Sequence, residues 1–149
     1  MLRIVTDGAA DLPAKWYTEY EVDLCPVNIH FGDKTYLQGI ELDNEGFYKL
    51  VDDTHKIPKT SQPSPHQFMQ LYKKIADPGD TILSIHVTSK LSGTYSSAVA
   101  ASKDLADIYN IIPFDSATGS MAIGFMCRAA RLMDRAGCSI EQILKHMEL

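Results

Sequence analysis

The sequence predicts an α/β domain with a mostly parallel sheet and helices on both faces. Short β-branched apolar runs alternate with stretches of helical periodicity, and the segments joining successive strands are long enough for crossover helices. No repeat, low-complexity tract or linker rich in Pro, Gly or Ser divides the 149 residues, so one domain over 1–149 is expected.

Leu2 to Thr6 reads as a buried strand ending at the Asp7-Gly8 turn, and a helix should follow with Asp11 near its cap and Pro13 in its first turn. Val22 to Phe31 is a second extended stretch, broken by Pro26, running through Gly32-Asp33-Lys34 toward Thr35-Tyr36-Leu37 as a hairpin. Asp43 can cap a helix whose Phe47, Leu50 and Val51 share a face. Ser64, Pro65 and Gln67 form a capping-box pattern ahead of Phe68, Leu71, Tyr72 and Ile75, and this helix stops at Asp77-Pro78-Gly79. Thr81 to Val87 is a strand, followed by a helix with Tyr95, Ala98, Val99, Leu105 and Ala106 as its inner stripe. Asn110 to Phe114 is another strand, placed at an edge by Pro113. Gly119 to Ala136 reads as a deeply buried helix with Arg128, Arg131 and Arg135 at the surface, and a last helix starts at Ser139 and runs to the terminus.

Composition narrows the function. With 14 Lys+Arg against 19 Asp+Glu, the net charge of −5 and the pI of about 5.4 argue against nucleic acid, which needs clustered basic residues. The longest apolar stretch, Met121 to Cys127, is far short of the roughly 20 residues of a bilayer span. The N-terminus lacks a signal peptide's apolar core, so a cytoplasmic location is expected. Cys25, Cys127 and Cys138 form no CxxC pair and read as small hydrophobes. The five histidines show no HxH or HxxxH spacing, so neither metal nor cofactor is expected. His86, inside a strand, reads as a hydrogen-bonded structural residue.

In open parallel sheets, ligands sit beyond the carboxyl ends of the strands, where helix N-termini point their unpaired N–H groups. The strand ends here are Thr6-Asp7-Gly8, Thr88-Ser89 and Asp115-Ser116, each followed by small or hydroxyl residues. The densest cluster runs from Thr88 through Ser89, Ser92, Gly93 and Thr94, and it suits a carboxylate or phosphate; helix capping explains the same serines. Lys59-Thr60-Ser61-Gln62-Pro63-Ser64 forms a loop able to close over the same edge. Asp115 to Ser120 opens the apolar helix, whose Met121, Ile123, Phe125 and Met126 would fit a ligand with a charged head and a greasy body, or serve as plain core. No GxSxG, GxxxxGK[ST] or GxGxxG motif is present, and no catalytic residue is nominated. Asp7 and Asp115 could pair for acid/base work, although turn and capping roles explain them.

Taken in order, Thr6-Asp7-Gly8-Ala9-Ala10-Asp11-Leu12-Pro13, Thr60-Ser61-Gln62-Pro63-Ser64, Ser89-Lys90-Leu91-Ser92-Gly93-Thr94-Tyr95 and Asp115-Ser116 leading to Ser120 resemble the successive signatures of the bacterial DegV family. The resemblance implies a fatty-acid-binding protein that is not an enzyme, holding one acyl chain and, in some members, presenting its carboxylate to a separate ATP-dependent fatty acid kinase. By the same resemblance, Thr60 and Ser92 hydrogen-bond the carboxylate, with Ser61, Ser89, Gly93, Thr94, Asp115 and Ser120 as supporting residues. Family members usually carry Asp-Ser where this chain has Asp7-Gly8, so a hydroxyl expected there is missing. They also continue into a second lobe, and this chain is expected to be an N-terminal portion. The competing reading is a small-substrate kinase or phosphotransfer enzyme of related fold, supported by fold analogy alone.

Overall fold

A computed structural model describes residues 1–148. Four parallel strands, β1 (Leu2–Asp7), β2 (Val22–Cys25), β6 (Thr81–His86) and β7 (Asn110–Asp115), form a sheet in the order β2-β1-β6-β7. Three more, β3 (Asn28–Phe31), β4 (Lys34–Leu37) and β5 (Lys59–Ser61), make a separate antiparallel sheet in the order β4-β3-β5. The helices are α1 (Ala14–Glu19), α2 (Asn44–Thr54), α3 (Pro65–Ile75), α4 (Thr94–Asp104), α5 (Met121–Arg135) and α6 (Ile140–Met147). The expected α/β class holds, with a second small sheet added.

The central strands are buried on both faces, which is why they read as continuous apolar runs. Ile4, Leu83 and Ile85 face α5 and α6, where they meet Ile123, Cys127, Ala130 and Ile143. Their neighbours Val5 and Ile82 face the other way, against Phe68 and Tyr72 of α3 and Ala98 and Ala101 of α4. Each large aliphatic side chain removed from water here contributes roughly 1.5–3 kcal/mol. The small sheet packs separately on α2 through Ile29, Phe31, Phe47, Leu50 and Val51. Pro113 lies on β7, an edge strand that has no neighbour needing its missing N–H, as expected.

Local signals placed most boundaries. Ser64 and Gln67 make both bonds of the capping box of α3, and Asp43 accepts the Gly46 N–H at the start of α2. Several expectations are corrected. Asp11 does not cap α1: Gly8–Ala10 is a 3-10 turn, Asp11 follows it in a left-handed conformation with φ 49°, and Pro13 stands at the N-cap of α1. The segment expected as a loop around Thr60 is strand β5, paired antiparallel to β3. The buried stripe of α4 is Thr94, Ser97, Ala98 and Ala101, followed by Leu105, while Ala106 is exposed. Helix α6 stops at Met147, short of Leu149, which lies outside the described residues.

Helix α5 is not buried all round. Phe125 is 56% exposed and packs edge-on against Trp16 at 5.8 Å, so its apolar outer side is covered only in part by α1. Arg131, expected at the surface, is buried. Its guanidinium donates to the Tyr20 carbonyl at 3.0 Å, to the Leu2 and Glu21 carbonyls at 3.2 Å, and to Asp134 at 2.7 Å. Carbonyls left over where α1 ends and β2 begins must find donors, and a fork of N–H groups supplies them. Arg128 lies over the Trp16 and Tyr20 rings, at 5.9 and 5.7 Å from their centroids.

Candidate functional site

Beyond the carboxyl ends of β1 and β6, a cavity of about 370 Å³ opens between the parallel sheet and the small antiparallel one. Its floor is the end of β1, where Asp7 is fully buried. Both Asp7 oxygens are occupied: Oδ1 accepts the Ala9 N–H at 2.9 Å, and Oδ2 accepts the Val87 N–H at 3.1 Å and meets His86 Nδ1 at 2.9 Å. His86 Nε2 lies 2.6 Å from Ser84 Oγ, which lies 2.8 Å from Tyr72 Oη. With Nδ1–H facing the carboxylate, Nε2 accepts from Ser84, and Ser84 accepts from Tyr72. This buried chain bears out the structural reading of His86.

The walls bring together residues from distant segments. Thr60, Ser61 and Gln62 come from β5 and the turn after it, and Ser92 and Thr94 from the start of α4. The Ser92 hydroxyl oxygen accepts the Thr94 N–H at 3.2 Å and lies 2.9 Å from Thr94 Oγ1. When Thr94 donates in that contact, the Ser92 proton is available to a ligand. Gly93 stands at the N-cap of α4 and supplies no side-chain cap, unlike Ser64 at α3 or Ser139 at α6. Beyond the Thr94 N–H, which Ser92 takes, the first-turn N–H groups of α4 have no side-chain cap, and the helix dipole favours an anion near them.

Two glutamines complete the walls. Gln62 lies against Gly93, where an added Cβ would stand 2.7 Å from its Cδ, and its Nε2 reaches Ser97 Oγ at 3.4 Å. Gln38 lies in the same way against Gly8, again 2.7 Å from the position of an added Cβ. No Lys or Arg lines the cavity, which offers hydroxyl and amide donors; its two carboxylates are engaged elsewhere, Asp7 by Ala9, Val87 and His86 and Asp11 by Ser120.

Of the residues nominated from sequence, Thr60, Ser61, Ser92 and Thr94 line this cavity. Ser61 also bonds His30 Nε2 at 2.9 Å. Ser89, Gly93, Asp115 and Ser120 are not among its lining residues, Gly93 lying behind the Gln62 amide. Asp115 accepts the N–H groups of Ser89 at 3.2 Å and Ala117 at 3.0 Å. Burial pushes the Asp115 carboxyl up, but Ser89, Ala117 and Lys90 outweigh it and hold it below its ordinary range. Asp115 thus closes a turn, and no pairing with Asp7 is formed. Ser120 donates to Asp11 Oδ2 at 2.6 Å, joining two residues that both have left-handed backbones. The greasy wall expected from Met121, Ile123, Phe125 and Met126 is not at this cavity either: Ile123 belongs to the core and Phe125 faces outward.

Gln38 was missed because it follows β4 in an irregular segment with no periodic signal; only the glycine at position 8 hints at a close approach. A second depression, a groove of about 700 Å³, adjoins the cavity and is lined by Leu12, Tyr17, Leu24 and Ile40 together with the acidic Asp23, Asp43 and Glu45. Burial there pushes the Tyr17 phenol up to about 12, with Cys127, Asp11 and Asp7 adding to the rise. Among the described residues no group of His, Cys, Asp and Glu is placed to hold a metal ion.

Fold and cavity together define an α/β domain with a polar, hydroxyl-lined cleft at the carboxyl edge of its parallel strands. The chain belongs to the DegV family: the family model described as "Uncharacterised protein, DegV family" matches residues 1–149. A Thermotoga maritima protein named "Fatty acid-binding protein" is 36% identical over 150 residues, covering 99% of this chain and 51% of that one. The crystal structure of DegV from Bacillus subtilis, described as a fatty acid binding protein, superposes with a TM-score of 0.90 at 34% identity, over 99% of this chain and 52% of that one. A stearic acid-binding protein from Eubacterium ventriosum superposes with a TM-score of 0.84 at 26% identity, again over 99% and 52%. The chain thus spans about half the length of the curated relatives it matches.

Proposed function

We propose that this chain is a lipid-binding domain that holds a long-chain fatty acid, with Thr60 and Ser92 donating hydrogen bonds to the carboxylate. The observation that carries the reading is the cavity itself: hydroxyls from β5 and from the N-terminus of α4 face one space at the carboxyl edge of the sheet. Relatives named as fatty-acid-binding proteins support the ligand class. Bonds to an ionised acceptor contribute roughly 1.5–3 kcal/mol each, and each buried CH₂ adds about 0.8 kcal/mol. The head group therefore orients the ligand and the tail supplies most of the affinity.

The domain acts as a carrier rather than a catalyst, and it hands the carboxyl group to a fatty acid kinase. A cleft that leaves the head group at the sheet's open edge supports that role, and the three free cysteines fit a reducing cytoplasm. No observation favours the alternative of a small-substrate kinase.

Calorimetric titration with palmitate tests the reading. Wild type binds saturably, and Ser92→Ala, with an unchanged circular dichroism spectrum, binds roughly 10- to 100-fold more weakly through loss of one charge-assisted bond. An unchanged affinity removes Ser92 from the site.

A further inference from the structure

The polar cavity and the neighbouring groove, whose lining mixes apolar and acidic side chains, share three residues, Gly8, Asp11 and Gln38. Gly8 has no side chain to close the passage, and the Asp11 carboxylate is held by Ser120 at 2.6 Å. That leaves the Gln38 side chain as the divider. Its backbone is fixed, with N–H donating to the Val27 carbonyl at 3.0 Å and a bridge to Leu42. Its amide is held more loosely: Nε2 reaches the Gly8 carbonyl at 3.4 Å, beyond the usual length of such a bond. The amide sits where a Cβ on residue 8 would stand, so the absence of a side chain at Gly8 creates its seat.

We propose that Gln38 is a specificity-determining residue, which shuts the groove off from the ligand's head group and so selects acids unbranched next to the carboxyl. Behind it, the apolar side of the groove, Leu12, Tyr17 and Leu24 with the more exposed Ile40, forms a latent subsite for an alkyl substituent at that carbon, while Asp23, Asp43 and Glu45 line the rest. The inference rests on the fatty-acid reading, because it takes the polar cavity as the place of the carboxylate.

The test compares the dissociation constants of palmitate and 2-butylpalmitate. Wild type prefers palmitate by at least about tenfold, the scale on which a closed wall rejects added hydrocarbon. Gln38→Ala opens the passage and brings the ratio to about threefold or less, since the butyl group then gains an apolar wall. Gly8→Ala, whose Cβ denies the amide its seat, shifts the ratio in the same direction. The two changes together give no more than Gln38→Ala alone, because they act through one side chain. A ratio unchanged in Gln38→Ala, with palmitate still bound, overturns the role of Gln38 and leaves the fatty-acid reading standing. A wild-type chain that binds neither acid overturns both.

Discussion

The Asp7 carboxylate and the His86 imidazole meet at 2.9 Å with neither side chain exposed to solvent. The contact ties the end of β1 to the end of β6, and because Asp7 also takes the Val87 and Ala9 N–H groups it fixes the turn that floors the cavity. Asp7→Ala removes a buried acceptor from three donors at once and is expected to destabilise the fold by about 3–5 kcal/mol in urea unfolding. Tyr72→Phe, at the far end of the same chain, leaves Ser84 bonded to His86 and costs about 1 kcal/mol. Equal losses from the two variants would contradict the graded chain.

Gly93→Ala separates the site from the fold. The backbone at Gly93 has φ −78°, which alanine adopts without strain, so the unfolding free energy changes by no more than about 1 kcal/mol. The new Cβ falls within 2.7 Å of Gln62 Cδ and displaces that amide from the wall beside Ser92. Palmitate affinity measured by calorimetry falls roughly tenfold, a loss of one hydrogen-bonding wall. A variant that binds as wild type does would remove Gln62 from the site.

Arg131→Leu tests a different part of the molecule. Three backbone carbonyls, those of Leu2, Tyr20 and Glu21, lose their donor. We expect a loss of roughly 3 kcal/mol, or a melting temperature lowered by about 5–12 °C. Arg135→Leu, whose side chain is about half exposed, shifts the melting temperature by no more than about 2 °C.

Asp80 sets an acid limb of stability. The amino group of Met1 at 2.8 Å is the main cause holding the carboxyl down to about 2 from 3.8, helped by the Asp77 N–H and by Arg3. A carboxyl lowered in the folded state contributes in full above its unfolded value, and that contribution fades as pH falls from 3.8 toward 2. Melting curves across this window should show wild type above Asp80→Asn at pH 6 and converging with it near pH 2. A gap that stays constant would show that the carboxyl is not shifted.

The parallel sheet was legible because its strands are apolar runs and its helices carry caps such as Ser64 with Gln67. Strand β5 escaped because all three of its residues are polar and exposed, so alternation had nothing to report. Helix α5 misled because apolar content reveals affinity for cover and not how much cover exists: Phe125 faces Trp16 across a half-open seam. Arg131 misled because its partners are carbonyls brought near by tertiary folding. At the cavity, the hydroxyl clusters holding Thr60 and Ser92 stood out beside turns and helix starts, and the family resemblance singled those two residues out. Gln38 and Gln62 did not, since each acquires its place from a glycine distant in sequence.

Native mass spectrometry of the chain after incubation with palmitate reads directly whether Thr60 and Ser92 hold a fatty-acid carboxylate. One palmitate per chain is expected on wild type, with occupancy sharply reduced in Ser92→Ala and in Thr60→Val. A wild-type chain without acyl adduct, or equal occupancy in all three proteins, would contradict a carboxylate held by these two hydroxyls.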